Sequence, residues 1–155
     1  MHNPPCSIAP SGGWLASAGS DSRVFVWDPD RACSLAILEG HTSVVRDCAI
    51  SPDERWLASA GADGVIKVWS VGGWEQHLSL EGHQGGVRGC AFDSTSRWLA
   101  SVSVDQTIRV WNVENRECVT ALRLAYSLSG CAWLPDDSRI CVVGEGGVYL
   151  LSLGV

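Results

Sequence analysis

The sequence predicts an all-β protein in which one antiparallel unit is repeated along the chain. The tetrapeptide Trp-Leu-Ala-Ser begins at Trp14, Trp56 and Trp98, at a constant spacing of 42 residues (56 − 14 = 98 − 56 = 42). Between residues 40–71 and 82–113, 16 of the 32 aligned positions are identical. Repetition at roughly 40–45 residues is typical of arrays in which a single unit cannot bury its own apolar faces.

The second copy shows the strands of this unit most clearly. Residues 44–50 are predicted as a first strand, which ends at a Ser-Pro-Asp-Glu turn. Residues 56–60 follow as a second strand, and an Ala-Asp-Gly turn leads into a third at 65–69. A Gly-Gly pair precedes the fourth, at 75–80, and the third copy repeats this order over 87–124. Four short strands separated by turn signals indicate an antiparallel β unit.

Charge and hydropathy restrict the classes of function. The net charge is −6 and Lys67 is the sole lysine, so no basic face for nucleic acid is expected. No run approaches the roughly 18 apolar residues that a membrane span needs. We therefore expect neither nucleic acid nor a membrane as partner.

The seven cysteines are predicted to be buried, reduced thiols. Cys6, Cys48 and Cys90 recur at the repeat spacing, as core positions do, and free cysteine behaves as a small apolar residue. The odd total and the lack of closely spaced pairs argue against a disulfide framework or a metal site. Reduced thiols predict a cytoplasmic location.

The repeated motifs resemble those of the WD-repeat (Trp-Asp repeat) family. The pairs Gly40-His41 and Gly82-His83 open two copies, which end in Val-Trp-Ser and Val-Trp-Asn, and Trp27-Asp28 is the dipeptide that names the family. The resemblance covers nearly the whole chain. It implies a β-propeller of radially packed, four-stranded antiparallel blades, an architecture that leaves only short, protected sheet edges.

The resemblance implies an incomplete ring of about four blades over residues 6–155, with residues 1–5 as a truncated or disordered start. The chain looks like the C-terminal part of a larger propeller, and its last blade is expected to lack an outer strand. Open sheet edges invite pairing, so self-association is expected. The blades are predicted at about 6–38, 43–80, 85–124 and 126–153.

A Ser-His-Asp set occurs in two successive copies and admits a catalytic or a structural interpretation. Such residues can form a nucleophilic triad. However, the set recurs one period later, and no Gly-x-Ser-x-Gly elbow accompanies it. The resemblance implies instead a buried hydrogen-bonded tetrad completed by tryptophan. Its members are His41, Ser59, Asp63 and Trp69, then His83, Ser101, Asp105 and Trp111, with a partial set of Ser17, Asp21 and Trp27.

The fourth copy is expected to replace the tetrad with residues that carry no side-chain hydrogen bond. Ala125 is placed at the histidine position, Val143 at the serine, Gly147 near the aspartate and Leu151 at the tryptophan. Because all four change together, no buried donor is left without a partner.

Partner-binding residues are implied at the loop before each inner strand and at the turn before the tetrad aspartate. Arg46 and Arg88 occupy equivalent positions and can grip a carboxylate or an acidic peptide, although an ion pair of Arg46 with Asp47 is an alternative. Trp74 breaks the period and is either an exposed interface anchor or packed under the next strand. Trp133 is expected in the core. The candidates are Val44, Arg46, Ala62, Gly86, Arg88, Val104, Ser127, Ser129 and Trp74.

The resemblance favours a non-enzymatic scaffold that presents loops to other proteins or peptides. An alternative is a C-terminal sensor propeller of a larger multidomain signalling NTPase or kinase. The phosphate-binding Gly-x-x-x-x-Gly-Lys-Ser/Thr loop of such an enzyme does not occur in these residues. A propeller enzyme would need a non-repeated cluster of acids, histidines or metal ligands, and none is visible. No catalytic residue, metal or cofactor is therefore predicted.

Overall fold

A computed structural model describes residues 5–154 and shows fifteen strands in this range, arranged in four antiparallel sheets. The predicted start at residues 1–5 lies outside the described residues except for Pro5. No helix in residues 5–154 is long and apolar enough to cross a membrane.

The first three sheets have four strands each, and the fourth has three. The first contains β1 (Cys6–Ile8), β2 (Leu15–Ala18), β3 (Val24–Asp28) and β4 (Cys33–Leu38). The second contains β5 (Val45–Ile50), β6 (Trp56–Gly61), β7 (Ile66–Ser70) and β8 (Gln76–Leu80). The third contains β9 (Val87–Phe92), β10 (Trp98–Ser103), β11 (Thr107–Asn112) and β12 (Glu117–Arg123). The fourth contains β13 (Leu128–Trp133), β14 (Arg139–Gly144) and β15 (Gly147–Ser152).

The sheets follow one another as blades of an open arc, which confirms the predicted fold class. Within each sheet the strands pair in chain order. The first strands of neighbouring sheets lie beside each other, β1 against β5, β5 against β9 and β9 against β13. No comparable contact joins β13 to β1 within the described residues, so the ring is incomplete.

Apolar side chains between neighbouring sheets form three successive core clusters. In the first, Val24 and Val26 of one sheet lie against Leu57 and Trp69 of the next. Equivalent clusters fill the second and third junctions. Alternation along a strand sends its side chains to both sheet faces, so each inner sheet needs a neighbour on either side.

Polar ties at the turns after the first strands also join neighbouring sheets. Each tie spans 43 residues, and the residue from the later sheet has a left-handed backbone. These ties set the spacing of the sheets at the end of the arc opposite the starts of the inner strands. They join Ser11 N and Oγ to Glu54 (2.6 and 3.0 Å), Asp53 N to Ser96 Oγ (3.1 Å) and Ser94 N to Asp137 Oδ1 (3.0 Å).

Candidate functional site

The second sheet brings its four predicted tetrad residues into one hydrogen-bonded chain. His41 precedes β5 and its Nδ1 donates to Asp63 Oδ2 at 2.9 Å. Ser59 of β6 donates to His41 Nε2 at 2.8 Å, and its Oγ accepts from Trp69 Nε1 at 3.0 Å. A neutral imidazole with its proton on Nδ1 satisfies every member of this chain.

The third sheet repeats the chain and adds a threonine that the sequence did not point to. His83 Nδ1 lies 3.1 Å from Asp105 Oδ2, and Ser101 Oγ links His83 Nε2 to Trp111 Nε1, both at 2.8 Å. Thr107 Oγ1 donates to Asp105 Oδ1 at 2.6 Å and lies 2.9 Å from His83 Nδ1. Its position two residues after the aspartate was the available signal, since the second copy has valine there.

Burial and hydrogen bonding favour a charged aspartate and a neutral histidine in the third sheet. Burial opposes ionisation of Asp105, but hydrogen bonds from Thr107 and from the Gln84 backbone N–H outweigh it and lower its pKa to about 2. Burial lowers the pKa of His83, and the opposing effect of Asp105 does not cancel this. The hydroxyls of Ser59 and Ser101 belong to residues that are 0% exposed, so a substrate has no direct access to them. This geometry favours a structural role over a catalytic one.

The first sheet carries the expected partial set. Trp27 Nε1 donates to Ser17 Oγ at 3.0 Å. Asp21 is exposed and accepts instead from the backbone N–H of Arg23 at 3.3 Å. The Ser–Trp bond therefore forms without the histidine that links the other two sets.

In the fourth sheet, three of the expected replacements were wrong. The strand register pairs Cys131 with Val142, so the buried Val142 holds the serine position and the 39% exposed Val143 does not. Gly144 pairs with Gly147 across a tight hairpin, which leaves no counterpart of the longer turn that carries the aspartate. Gly147 is thus a strand residue.

Of the other two expected replacements, Ala125 was the third that was wrong, and Leu151 was correct. Ala125 is exposed, unlike the buried His41 and His83. Leu151 pairs with Ile140 in β14, as Trp69 pairs with Leu57, so its equivalence to the tryptophan holds. A constant spacing of 42 residues misaligns this copy, because its connections are shorter.

Eight of the nine candidate binding residues lie at one end of the arc, where the inner strands begin. Here the loop before each inner strand lies beside the turn after the second strand. The Ala62 N–H donates to the Val44 carbonyl at 2.8 Å, and the Val104 N–H donates to the Gly86 carbonyl at 3.1 Å. Arg46 and Arg88 follow on β5 and β9, and the fourth sheet contributes Ser127.

The eighth of these, Ser129, lies on β13 at the position that Arg46 and Arg88 hold on β5 and β9, because each is left unpaired by the register shift in its sheet. Ser127 accepts the Glu145 N–H at its carbonyl (3.1 Å), which continues the loop–turn pairing of the other sheets. Ser129 Oγ donates to the Val143 carbonyl at 3.2 Å and is exposed. The second, third and fourth sheets therefore present a row of loops and turns.

Arg46 and Arg88 are exposed on adjacent inner strands, and the ion pair with Asp47 does not form. Within residues 5–154 neither guanidinium lies within 4.0 Å of a carboxylate. Asp47 instead accepts the backbone N–H groups of Cys48 at 2.9 Å and Cys90 at 3.1 Å. Burial raises the pKa of this carboxyl. Both guanidiniums therefore lack a carboxylate partner in the described part of the chain.

The two tryptophans that break the period both contact a preceding sheet. Trp74 is half-buried and packs edge-to-face on Trp14 with ring centroids 5.1 Å apart. It is neither a free interface anchor nor packed under the following strand. Trp133 Nε1 donates to the Ala91 carbonyl at 2.9 Å, and its ring packs against the third core cluster, as expected.

The cysteines follow the expectation only in part. Cys48 and Cys90 are buried, and burial raises the pKa of Cys48 to about 12, so its thiol stays protonated. Cys6, Cys33 and Cys118 are exposed, because they lie on sheet faces or edges that no neighbouring sheet covers. In the described part of the chain, no group of three or more His, Cys, Asp or Glu side chains is arranged to hold a metal ion.

These blades, tetrads and loops define an incomplete β-propeller of repeated Trp-Asp type. The family model of the WD domain, G-beta repeat (WD40), matches residues 2–28, 32–70 and 74–112. The chain belongs to the WD40 repeat family. The fourth sheet lies outside the matched residues and is identified by its structure.

A solved structure of U3-55K has a similar fold. The TM-score is 0.81 at 22% sequence identity, over 98% of this chain and 53% of that chain. The present chain thus spans about half the length of U3-55K, and the likeness shows the fold alone. A comparison with curated proteins finds no match to this sequence.

Proposed function

We propose that the chain is a non-enzymatic scaffold that binds an acidic segment of a partner protein at the loop end of its arc. WD40 propellers are in general protein-interaction platforms, which supports the broader part of this proposal. The observation that carries the finer part is the exposed pair Arg46 and Arg88. These arginines lie on adjacent inner strands, without a carboxylate partner in the described residues.

The chemistry of this pair suits carboxylates. A guanidinium presents a planar fork of donors that matches a carboxylate, and charge-assisted hydrogen bonds of this type are the stronger ones in proteins. The chain as a whole carries a net charge of −6, and this pair places two positive charges on adjacent strands at one end of the arc. Beside them, the 37% exposed Val104 supplies apolar surface.

We propose that the tetrads serve this surface by fixing its loops. Asp63 accepts the backbone N–H of Thr42 at 3.0 Å as well as the His41 ring, and Asp105 accepts that of Gln84 at 2.8 Å. Each aspartate therefore ties the loop before an inner strand to the turn after the second strand. Rigid loops lose less conformational entropy when a partner binds. The buried thiols Cys48 and Cys90 suit the reducing cytoplasm as the place of action.

The test measures binding of a fluorescein-labelled peptide of alternating Glu and Gly by fluorescence anisotropy. The double variant Arg46→Glu and Arg88→Glu is expected to weaken binding at least tenfold. Arg123→Glu, which changes an arginine on the outer strand β12, is the matched control and should leave affinity unchanged. A peptide of alternating Gln and Gly should not bind. Equal affinity of the double variant and the parent chain would refute the proposed site.

A further inference from the structure

The end of the arc opposite the Arg46–Arg88 pair shows a second feature, at the junction of the second and third sheets. The first junction provides the reference. There Trp14 packs against Trp74 and donates its Nε1–H to Glu54 Oε2 at 3.1 Å. That junction is closed by an aromatic pair, and its indole N–H is satisfied by a carboxylate.

The second junction keeps the tryptophan but changes both of its partners. Trp56 is one period after Trp14 (14 + 42 = 56), and Arg116 takes the place of Trp74 (74 + 42 = 116) with the same left-handed backbone. Ser96 replaces the glutamate (54 + 42 = 96). Within the described residues, the Trp56 N–H accordingly donates to no protein group.

A histidine aimed at this tryptophan completes the junction. The pairing of β7 with β8 shifts register between Val68 and Trp69, which leaves His77 as the bulged residue. A bulge re-aims its side chain. The His77 ring stacks on Trp56 with centroids 4.3 Å apart and planes 24° apart. The equivalent bulged residues are Leu35 in the first sheet and Val119 in the third, so the second sheet alone places a histidine there among the described residues.

Two cations flank the stack without a carboxylate partner. The Arg55 guanidinium lies over Trp56 at 5.4 Å, and both Arg55 and Arg116 are exposed. In residues 5–154, neither has a carboxylate within 4.0 Å. The neighbouring Asp53 is already engaged by Ser51 Oγ and by the Arg55 backbone N–H, at 2.7 and 3.0 Å.

The positive charges of both arginines affect the pKa of His77. Burial lowers the pKa of His77 most, and the positive charges of Arg116 and then Arg55 lower it further. An anion placed between the guanidiniums would relieve this repulsion. Among the described residues, the junction therefore combines two guanidiniums without a carboxylate within 4.0 Å, an indole N–H without a protein acceptor and a flat aromatic surface.

We propose that Arg55, Trp56, His77 and Arg116 form a second binding site, which takes a carboxylate side chain of an acidic peptide segment. The two guanidiniums supply the charge and the forked donors. The Trp56 N–H is a further donor, equivalent to the Trp14 N–H that donates to Glu54 in the first junction. The stacked rings of Trp56 and His77 provide the flat surface against which the aliphatic part of a glutamate side chain packs. This site is separate from the Arg46–Arg88 surface, since the two lie at opposite ends of β5.

The test uses the same labelled Glu-Gly peptide and the complete 155-residue chain. Arg55→Ala with Arg116→Ala should weaken one of the two classes of peptide binding at least tenfold. Arg97→Ala is the matched control, because Arg97 also lies over a tryptophan, at 5.2 Å, but next to a valine instead of a histidine. It should leave binding unchanged. His77→Leu, which copies the first sheet, should weaken the same class.

The outcomes separate the two sites. Loss of peptide with Arg55→Ala and Arg116→Ala, but not with Arg97→Ala, supports the second site whatever the Arg46 and Arg88 variants do. Unchanged binding in the folded Arg55/Arg116 variant overturns it, even where the Arg46/Arg88 variant loses affinity. An equal loss with Arg97→Ala also overturns it, because the effect then reflects net charge. Circular dichroism of each variant establishes that it is folded.

Discussion

Asp47 ties the second sheet to the third, because its Oδ2 accepts the backbone N–H of Cys90 across the junction at 3.1 Å. Its Oδ1 accepts the N–H of Cys48 in its own strand at 2.9 Å. The equivalent positions in the other copies are Pro5, Gly89 and Gly130, so this tie occurs at one junction among the four sheets. It lies directly beside the proposed Arg46 binding residue.

Asp47→Ala is expected to lower the free energy of unfolding by about 1–3 kcal/mol, the cost of leaving buried backbone donors without partners. Urea unfolding followed by circular dichroism measures this. Asp30→Ala, in an exposed turn, is the control and should stay within about 0.5 kcal/mol of the parent. An Asp47→Ala variant as stable as the control would contradict the bridging role.

Ser101→Ala tests the tetrad of the third sheet. The change leaves two groups without a hydrogen-bond partner, because His83 Nε2 and Trp111 Nε1 both bond to this hydroxyl at 2.8 Å. We expect a loss of about 1–3 kcal/mol in urea unfolding. Ser79→Ala changes an exposed serine on β8 and should cost little. A similar small cost for both variants would show that the network does not contribute to stability.

The repeated features were predictable because their signals are local. The strands of the second sheet begin and end close to the predicted limits, since β-forming runs alternate there with Pro, Asp and Gly turns. A constant spacing likewise selected His83, Ser101 and Asp105, which the structure brings together. Equivalent positions in equivalent strands must have equivalent neighbours.

The unrepeated features could not be predicted in the same way. Whether Asp47 reaches Cys90 depends on how two sheets pack, and spacing along the chain carries no information on that. The stack of His77 on Trp56 depends on a bulge, which appears only once strands are paired. In the fourth sheet a shortened hairpin shifted the alignment, and the serine position fell on Val142.

Acidification should destabilise the chain in two steps through the third-sheet tetrad. The folded pKa of His83 is lowered from 6.5, so its stabilising contribution is present above 6.5 and is lost as pH falls towards the folded value. The folded pKa of Asp105 is lowered from 3.8 to about 2, so its contribution is present above 3.8 and is lost as pH falls towards 2. Both steps have the same sign.

Urea midpoints measured between pH 7 and pH 2 check this. The parent chain should lose stability progressively below pH 6.5 and again below pH 3.8. The Asp105→Asn variant should be less stable at pH 7. Its stability should also decrease less steeply below pH 3.8, because the variant lacks one carboxyl whose pKa is lowered in the folded state. Asp21→Asn, at the exposed aspartate of the first sheet, is the control. An Asp105→Asn profile parallel to the parent would exclude Asp105 as a source of the acid step.

The two end faces of the arc predict self-association of the 155-residue chain. On the last sheet, Val148 is 68% exposed and Leu150 is 61% exposed, on the face that points away from the third sheet. On the first sheet, Ile8 is 66% and Ile37 51% exposed on the opposite end face. At all three junctions between the sheets, apolar faces of this kind are buried. An apolar sheet face that stays exposed favours contact with another copy of the chain.

Sedimentation velocity over a concentration series tests this expectation. The parent chain should show a weight-average mass above 16.6 kDa that rises with concentration. The double variant Val148→Glu and Leu150→Glu should shift the distribution towards monomer, because association would desolvate two carboxylates. Val119→Glu, a similar change on the outer strand β12, is the control and should leave association in place. A monomer at all concentrations that melts in one sharp, concentration-independent transition would contradict the prediction, since the end faces would then be stable in water.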